Sequence, residues 1–140
     1  MRKFKGMSKG FTLIELLIVL AVIAALLAIV TPIALNAVAQ AKATQVAANF
    51  RNIRSALESY VYTQRSTPTN LDALVSNGYL NNKPDSFSIQ YEAGSSSADK
   101  FVYKIKYTGS VDTTKLFSIL PEATGTAGDI TLTVTLAAWW

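Results

Sequence analysis

The sequence predicts an α+β protein in which one long N-terminal α-helix, transmembrane and then amphipathic, packs on a small antiparallel β-sheet. Three observations predict it. Phe11 to Val30 is a run of twenty residues in which only Thr12 and Glu15 are polar. Beyond that run, apolar residues recur at alternating spacings of four and three from Ala39 to Tyr60. From Phe87 onward the period of the apolar pattern falls to two. A helix turns once in 3.6 residues and a strand alternates at every residue, so the change of period marks a change of element.

The apolar run has the length of a membrane span. Twenty helical residues cover roughly 30 Å, about the thickness of a bilayer's hydrocarbon core, and the weakly polar stretch from Thr31 to Ala39 extends it. Arg2, Lys3, Lys5 and Lys9 precede it with no acid among them, whereas Phe11 to Trp140 holds nine Lys/Arg against nine Asp/Glu. The net charge of +4 therefore lies wholly in the first ten residues. Basic residues before a span hold that end on the cytoplasmic side. A secretory signal peptide needs a shorter apolar region followed by a small-x-small cleavage site, but here the small residue, Gly10, comes before the run.

Glu15 is the anomaly within the span. A carboxylate inside a bilayer costs roughly 2.5 to 3.5 kcal/mol at a helix centre and less near an end, so it calls for a positive partner. If the first ten residues were removed, the new α-amine would belong to Phe11, four residues before Glu15 and on the same helical face. Amine and carboxylate would then pair, within one chain or between neighbours. The competing reading is a protonated or snorkelling Glu at the membrane edge, and the residue alone leaves both open.

Lys9-Gly10-Phe11-Thr12-Leu13-Ile14-Glu15 closely resembles the prepilin processing motif of type IV pilins and of the related pseudopilins of type II secretion. The resemblance implies that a membrane prepilin peptidase cuts after Gly10 and that the new terminal residue, Phe11, is N-methylated. Glu15 matches the family's acidic residue, which pairs with the N-terminal amine of an adjacent subunit, and Pro32 matches its helix-weakening proline. Many members carry Gly where this chain has Ala24, and Ala favours helix by up to about 1 kcal/mol over Gly. The motif is strong over residues 9 to 32 and continues beyond them only in outline. It implies a type IV pilin-like fold and a homo-oligomeric helical filament whose core is the apolar helices. The implied partners are the prepilin peptidase/methyltransferase, the pilus assembly platform and motor ATPases, with the inner membrane holding the precursor. The surface fibre would serve adhesion, twitching motility or DNA uptake, with no cofactor.

Past Pro32 the helix becomes one-sided. Ala39, Ala43, Val46, Phe50, Ile53, Leu57 and Tyr60 form a stripe, while Lys42, Gln45, Asn49, Arg51, Arg54 and Glu58 lie elsewhere around the helix. Such a stripe packs onto its own domain, whereas the all-round apolar first half must be enclosed by lipid or by copies of itself. The expected organisation is a leader over 1–10, a helix over 11–64 and a globular β-sheet region over 65–140. Within the helix, 11–35 is the membrane or filament-core half and 36–64 the amphipathic half.

Thr67-Pro68-Thr69-Asn70 ends the long helix and caps a short one, Leu71 to Ser76, closed by Asn77-Gly78. Phe87, Ile89 and Tyr91 alternate with Ser86, Ser88 and Gln90, and after the Ala93 to Ser97 turn Phe101, Tyr103, Ile105 and Tyr107 alternate with Val102, Lys104 and Lys106, which predicts a hairpin. Leu116 to Leu120 and Ile130 to Leu136 are read as two further strands. Seventy-six residues without a disulfide make a marginal core, so the sheet's apolar face should close against the helix stripe.

With no Cys and no His, the chain lacks a thiol nucleophile, a Ser-His-Asp triad and a Cys/His zinc site, and no cluster of acids, bases or nucleophiles points to an enzyme. Lys104 and Lys106 on a tyrosine-rich strand offer a DNA contact, but a solvated sheet face is the plainer reading, so DNA stays possible without support. Glu122 and the Gly125 to Asp129 loop offer oxygens to calcium, but two carboxylates seven apart make a plain turn the better reading. Trp139 and Trp140 suit either a surface contact or packing at the sheet edge. A structural filament subunit is the leading expectation. A pseudopilin of a secretion or competence machine is the alternative, and a single-span anchored binding domain that keeps its leader is the third.

Overall fold

The computed structural model describes residues 10–92 and 100–138. The predicted leader Met1 to Lys9, the Ala93 to Ser97 turn and the Trp139-Trp140 pair lie outside the described residues. Seven elements follow in chain order: α1 (Leu13–Gln64), α2 (Leu71–Ser76), β1 (Phe87–Tyr91), β2 (Lys100–Tyr107), α3 (Thr113–Ile119), β3 (Ala123–Thr126) and β4 (Asp129–Ala137). The chain divides into two compact units, Met1–Ala37 and Val38–Trp140.

In the first unit, α1 begins two residues later than Phe11, because Thr12 caps it rather than joining it. In the second unit the predicted stripe is the core-facing side of the helix. Ala43, Val46, Phe50, Ile53 and Leu57 are buried, together with Ala47, Ala56 and Val61 beside them. Ala39 and Tyr60, at the two ends of the stripe, are half-buried. Burying each large apolar side chain contributes about 1.5–3 kcal/mol, so this face is the main fastening between helix and sheet. Phe50 sits edge-on to Phe87 at 5.0 Å between ring centres, and Phe87 lies 4.8 Å from Tyr107.

The sheet is antiparallel throughout, in the order β1-β2-β4-β3. The predicted hairpin pairs Phe87 with Tyr107, Ile89 with Ile105 and Tyr91 with Tyr103. Alternation along β4 turns Ile130, Leu132, Val134 and Leu136 into the core and leaves Thr133 and Thr135 exposed. α2 has the predicted bounds, with Asn70 Oδ1 accepting the Ala73 N–H at 2.9 Å and Asn77-Gly78 closing it.

One expected strand is a helix. Leu116 to Leu120 belongs to α3 and its C-cap, because Asp112 Oδ1 accepts the Lys115 N–H at 3.1 Å and starts a helix at Thr113. Val111, just before the cap, and Leu116, in the first turn, are both buried in the core at the two positions of a hydrophobic staple, and Leu120 follows one turn later. The strand in its place is β3, whose sole apolar residue, Ala123, gave no alternation to read. β3 and β4 join through Ala127-Gly128, with Thr126 opposite Asp129 and Gly128 at φ +85. From α1, Arg51 Nη2 donates to the Ile119 carbonyl at 2.8 Å, while Arg54 donates to Glu58 at 3.0 Å and Glu122 at 2.7 Å. These bonds hold the end of α3 and the start of β3 beside the helix. They also raise the pKa of Arg54 above its ordinary value, the bond to Glu58 being the largest cause.

Candidate processing and assembly segment

Gly10, Phe11 and Thr12 precede the first helical turn in irregular backbone, and Phe11 is 84% exposed. A peptide bond so placed is open to a protease, which needs extended chain rather than helix. Helix formation is signalled at once by Thr12 and Glu15. Glu15 Oε2 accepts the Thr12 N–H at 2.8 Å, and Thr12 Oγ1 accepts the Glu15 N–H at 3.3 Å. This reciprocal arrangement is a capping box, satisfying two backbone donors that a helix start otherwise leaves unpaired. The carboxylate also faces the positive end of the helix dipole. Both effects offset part of the cost of placing an acid at the edge of an apolar segment.

The expected pairing of Glu15 with the Phe11 amine belongs to a chain without its first ten residues; in the full chain the Phe11 nitrogen is a peptide nitrogen bonded to Gly10, and Glu15 is bonded to the Thr12 N–H. Thr12 is the residue that sequence reasoning missed, although Thr12-Leu13-Ile14-Glu15 before an apolar run is a legible capping-box pattern.

Glu15 is the only ionisable side chain between Gly10 and Ala41. An 18-residue window within α1 has a mean hydropathy of 3.2 with none of it buried, and every large apolar residue from Leu13 to Val38 is exposed in the isolated chain. A surface of this size and uniformity is not stable in water and calls for lipid or protein around it. The helix runs through Pro32 without a break. Proline offers no N–H to the carbonyl four residues back, while the preceding Thr31 donates its hydroxyl to the Leu27 carbonyl at 2.7 Å.

The other sequence-selected groups lie in the second unit, and each is engaged. Lys104 pairs with Glu92, Lys106 with Asp129 at 3.1 Å, and Glu122 with Arg54. The two lysines singled out for DNA and the two carboxylates singled out for calcium are thus tied up in ion pairs on the sheet and its edge. Among the described residues no three metal-ligating side chains converge.

Comparisons with known proteins agree with this segment. Residues 1–31 match the family model described as the prokaryotic N-terminal methylation motif. Over 115 residues the chain is 34% identical to the type IV wide pilus major component PilA4 of Thermus thermophilus, covering 82% of this chain and 83% of that protein. No solved structure gives a significant match. The likeness extends well past the apolar helix into the sheet-bearing unit, and with the methylation motif, the long helix and the four-stranded antiparallel sheet it shows that the chain belongs to the type IV pilin family.

Proposed function

We propose that this chain is the structural subunit of a type IV pilus filament. Residues 1–10 are a leader removed by prepilin peptidase after Gly10, and the freed Phe11 amine is then N-methylated. The precursor waits in the cytoplasmic membrane with the apolar part of α1, over 11–35, as its span. The assembly platform and its motor ATPases then draw it into an extracellular fibre serving adhesion, twitching motility or DNA uptake. In that fibre the apolar helices exchange lipid for one another. The exchange is nearly neutral for apolar area, so register must come from polar contacts, and pairing of Glu15 with the Phe11 amine of a neighbour supplies one. Pro32 is the point at which the helix is easiest to loosen on assembly.

The observation that carries this reading is the exposed apolar start of α1, over Leu13 to Val38, at the methylation motif, in a chain similar along most of its length to a pilus major component. A pseudopilin would share the processing chemistry, but that similarity to a pilus component favours the surface fibre. Peptide mass spectrometry on filaments sheared from native cells tests it. An abundant peptide beginning with methylated Phe11 is expected. Processed chain confined to the envelope fraction would give the assignment to a pseudopilin, and a retained leader on the functioning protein would leave a plain membrane anchor.

A further inference from the structure

One flank of α1 carries a row of uncharged hydrogen-bonding side chains. Gln45, Asn49, Asn52, Ser55 and Ser59 follow one another at spacings of four, three, three and four, so they form a continuous stripe. The stripe extends roughly 21 Å at the helical rise of 1.5 Å per residue. It lies beside the buried face rather than opposite it, and the segment from Gly78 to Asp85 forms the facing wall. Two adjoining clefts of about 420 Å³ and about 510 Å³ lie between them, sharing Asn52, Leu80 and Asn82. The wall is fastened in place: the Tyr79 and Leu80 amides both bond the Leu74 carbonyl, Tyr79 stacks edge-on to Tyr60, and Lys83 pairs with Asp72 at 3.1 Å.

Three properties of the groove limit what fits it. Among the described residues, the side-chain amides of Gln45, Asn49, Asn52, Asn81 and Asn82 make no hydrogen bond within the chain, so their donors and acceptors face the cleft or water. The charges nearly cancel, because Lys83 is held by Asp72 and the remaining Lys42 and Asp85 have opposite signs. The floor is apolar, with Val46, Phe87 and Tyr107 buried beneath the polar rim. An anionic polymer needs clustered cations, which the groove lacks, and a protein partner needs accessible apolar surface for its anchors, whereas the floor residues Val46, Phe87 and Tyr107 are each no more than 6% exposed.

We infer that this groove binds a neutral, linear oligosaccharide lying along α1. A primary amide presents one acceptor and two donors, which matches the donor and acceptor of each sugar hydroxyl. The elongated shape favours several sugars in line over a single ring. The inference goes beyond the filament reading and does not rest on it, since the groove lies within the second unit alone.

The test uses the full-length isotope-labelled chain in detergent micelles, with cellohexaose and the N-acetylglucosamine hexamer as probes and free glucose as the control. Side-chain amide signals of Asn49, Asn52 and Asn82 should shift with a hexamer and stay put with glucose. The Asn52→Ala/Asn82→Ala variant should bind about tenfold more weakly, the loss of about 1.4 kcal/mol expected for two or so ordinary hydrogen bonds. Both residues are exposed, so the variant should keep its backbone spectrum, and Gln45→Ala gives an independent second reading. If neither hexamer moves these signals, or the variants bind as well as the parent, the inference is wrong. It is equally wrong if the same signals move with protein concentration alone, because the groove is then a contact between copies of the chain.

Discussion

The Glu15 carboxylate and the Thr12 backbone N–H are joined at 2.8 Å, and the Thr12 hydroxyl returns the bond to the Glu15 amide at 3.3 Å. Glu15 therefore has two separable properties in this chain: it closes the start of α1, and it carries the only charge in the apolar segment. A glutamine at the third helical position can also close a capping box but carries no charge.

Substitution at Glu15 separates the two. Glu15→Gln should retain the helix start and membrane insertion yet give few filaments, because a neutral amide cannot pair with the Phe11 ammonium of a neighbour. Glu15→Val should insert and also assemble poorly, with a frayed first turn in addition, since losing a cap costs about 0.5–2 kcal/mol. Sheared filament yield and amide exchange at Leu13 to Leu17 report the two effects. Full filament yield from Glu15→Gln would remove charge pairing from the account and leave only the cap.

Most of the architecture was legible because apolar period and burial agree. Phe50, Ile53 and Leu57 recur at helical spacing and are buried, and Ile130 to Leu136 alternate and point inward by turns. The segment from Leu116 to Leu120 was misread because five residues are too few to tell a period of 3.6 from one of two. The deciding signal lay outside it, in the Asp112 cap. β3 was illegible for a different reason. It is a short edge strand with Thr124 and Thr126 exposed, held by its ladder to β4 rather than by burial. At the candidate site, Gly10, Phe11, Glu15 and Pro32 followed from the motif, while the role of Thr12 depends on a hydroxyl-to-amide contact three residues along the chain.

Backbone geometry predicts opposite outcomes at two turn residues. Gly125 has φ +124, and a Cβ there would collide with the Asp129 carbonyl across the β3–β4 ladder. Gly125→Ala should therefore destabilise the second unit by roughly 1–3 kcal/mol, the range for a side chain forced into a sparsely populated backbone region, with the collision adding to it. Ser86 has φ +64, while its carbonyl accepts both the Thr108 N–H at 2.9 Å and the Thr108 hydroxyl at 3.3 Å. Ser86→Gly keeps those backbone bonds and relieves the left-handed strain, so it should stabilise by up to about 1 kcal/mol. Denaturant midpoints of the two variants beside the parent, in the same micelles, check the signs. A stabilised Gly125→Ala would mean that the β3–β4 turn is not formed as described.

Tyr103 predicts an alkaline limit to stability. Its ring is fully buried, and its hydroxyl makes no well-formed hydrogen bond among the described residues, only the Thr67 side chain acting weakly on it. Burial, and then the neighbouring Tyr91 and Tyr60, push its pKa well above the ordinary tyrosine value; burial alone raises that of Tyr107. Below about pH 10 the phenol is protonated in both folded and unfolded chains and adds no pH dependence. As pH rises past that value the unfolded chain loses the proton while the native chain keeps it, so stability falls by up to about 1.4 kcal/mol per pH unit for each such tyrosine. Tyr103→Phe removes a weakly paired buried hydroxyl as well as the titration. At pH 7 it should be neutral or stabilising by up to about 1 kcal/mol, and its advantage over the parent should widen between pH 10 and 11. Urea midpoints of the two chains at pH 7, 10 and 11 measure this. A Phe variant less stable than the parent at pH 7 would show that the hydroxyl has a firm partner, Thr67 or an enclosed water. A constant difference across the three pH values would show that Tyr103 does not carry the alkaline loss.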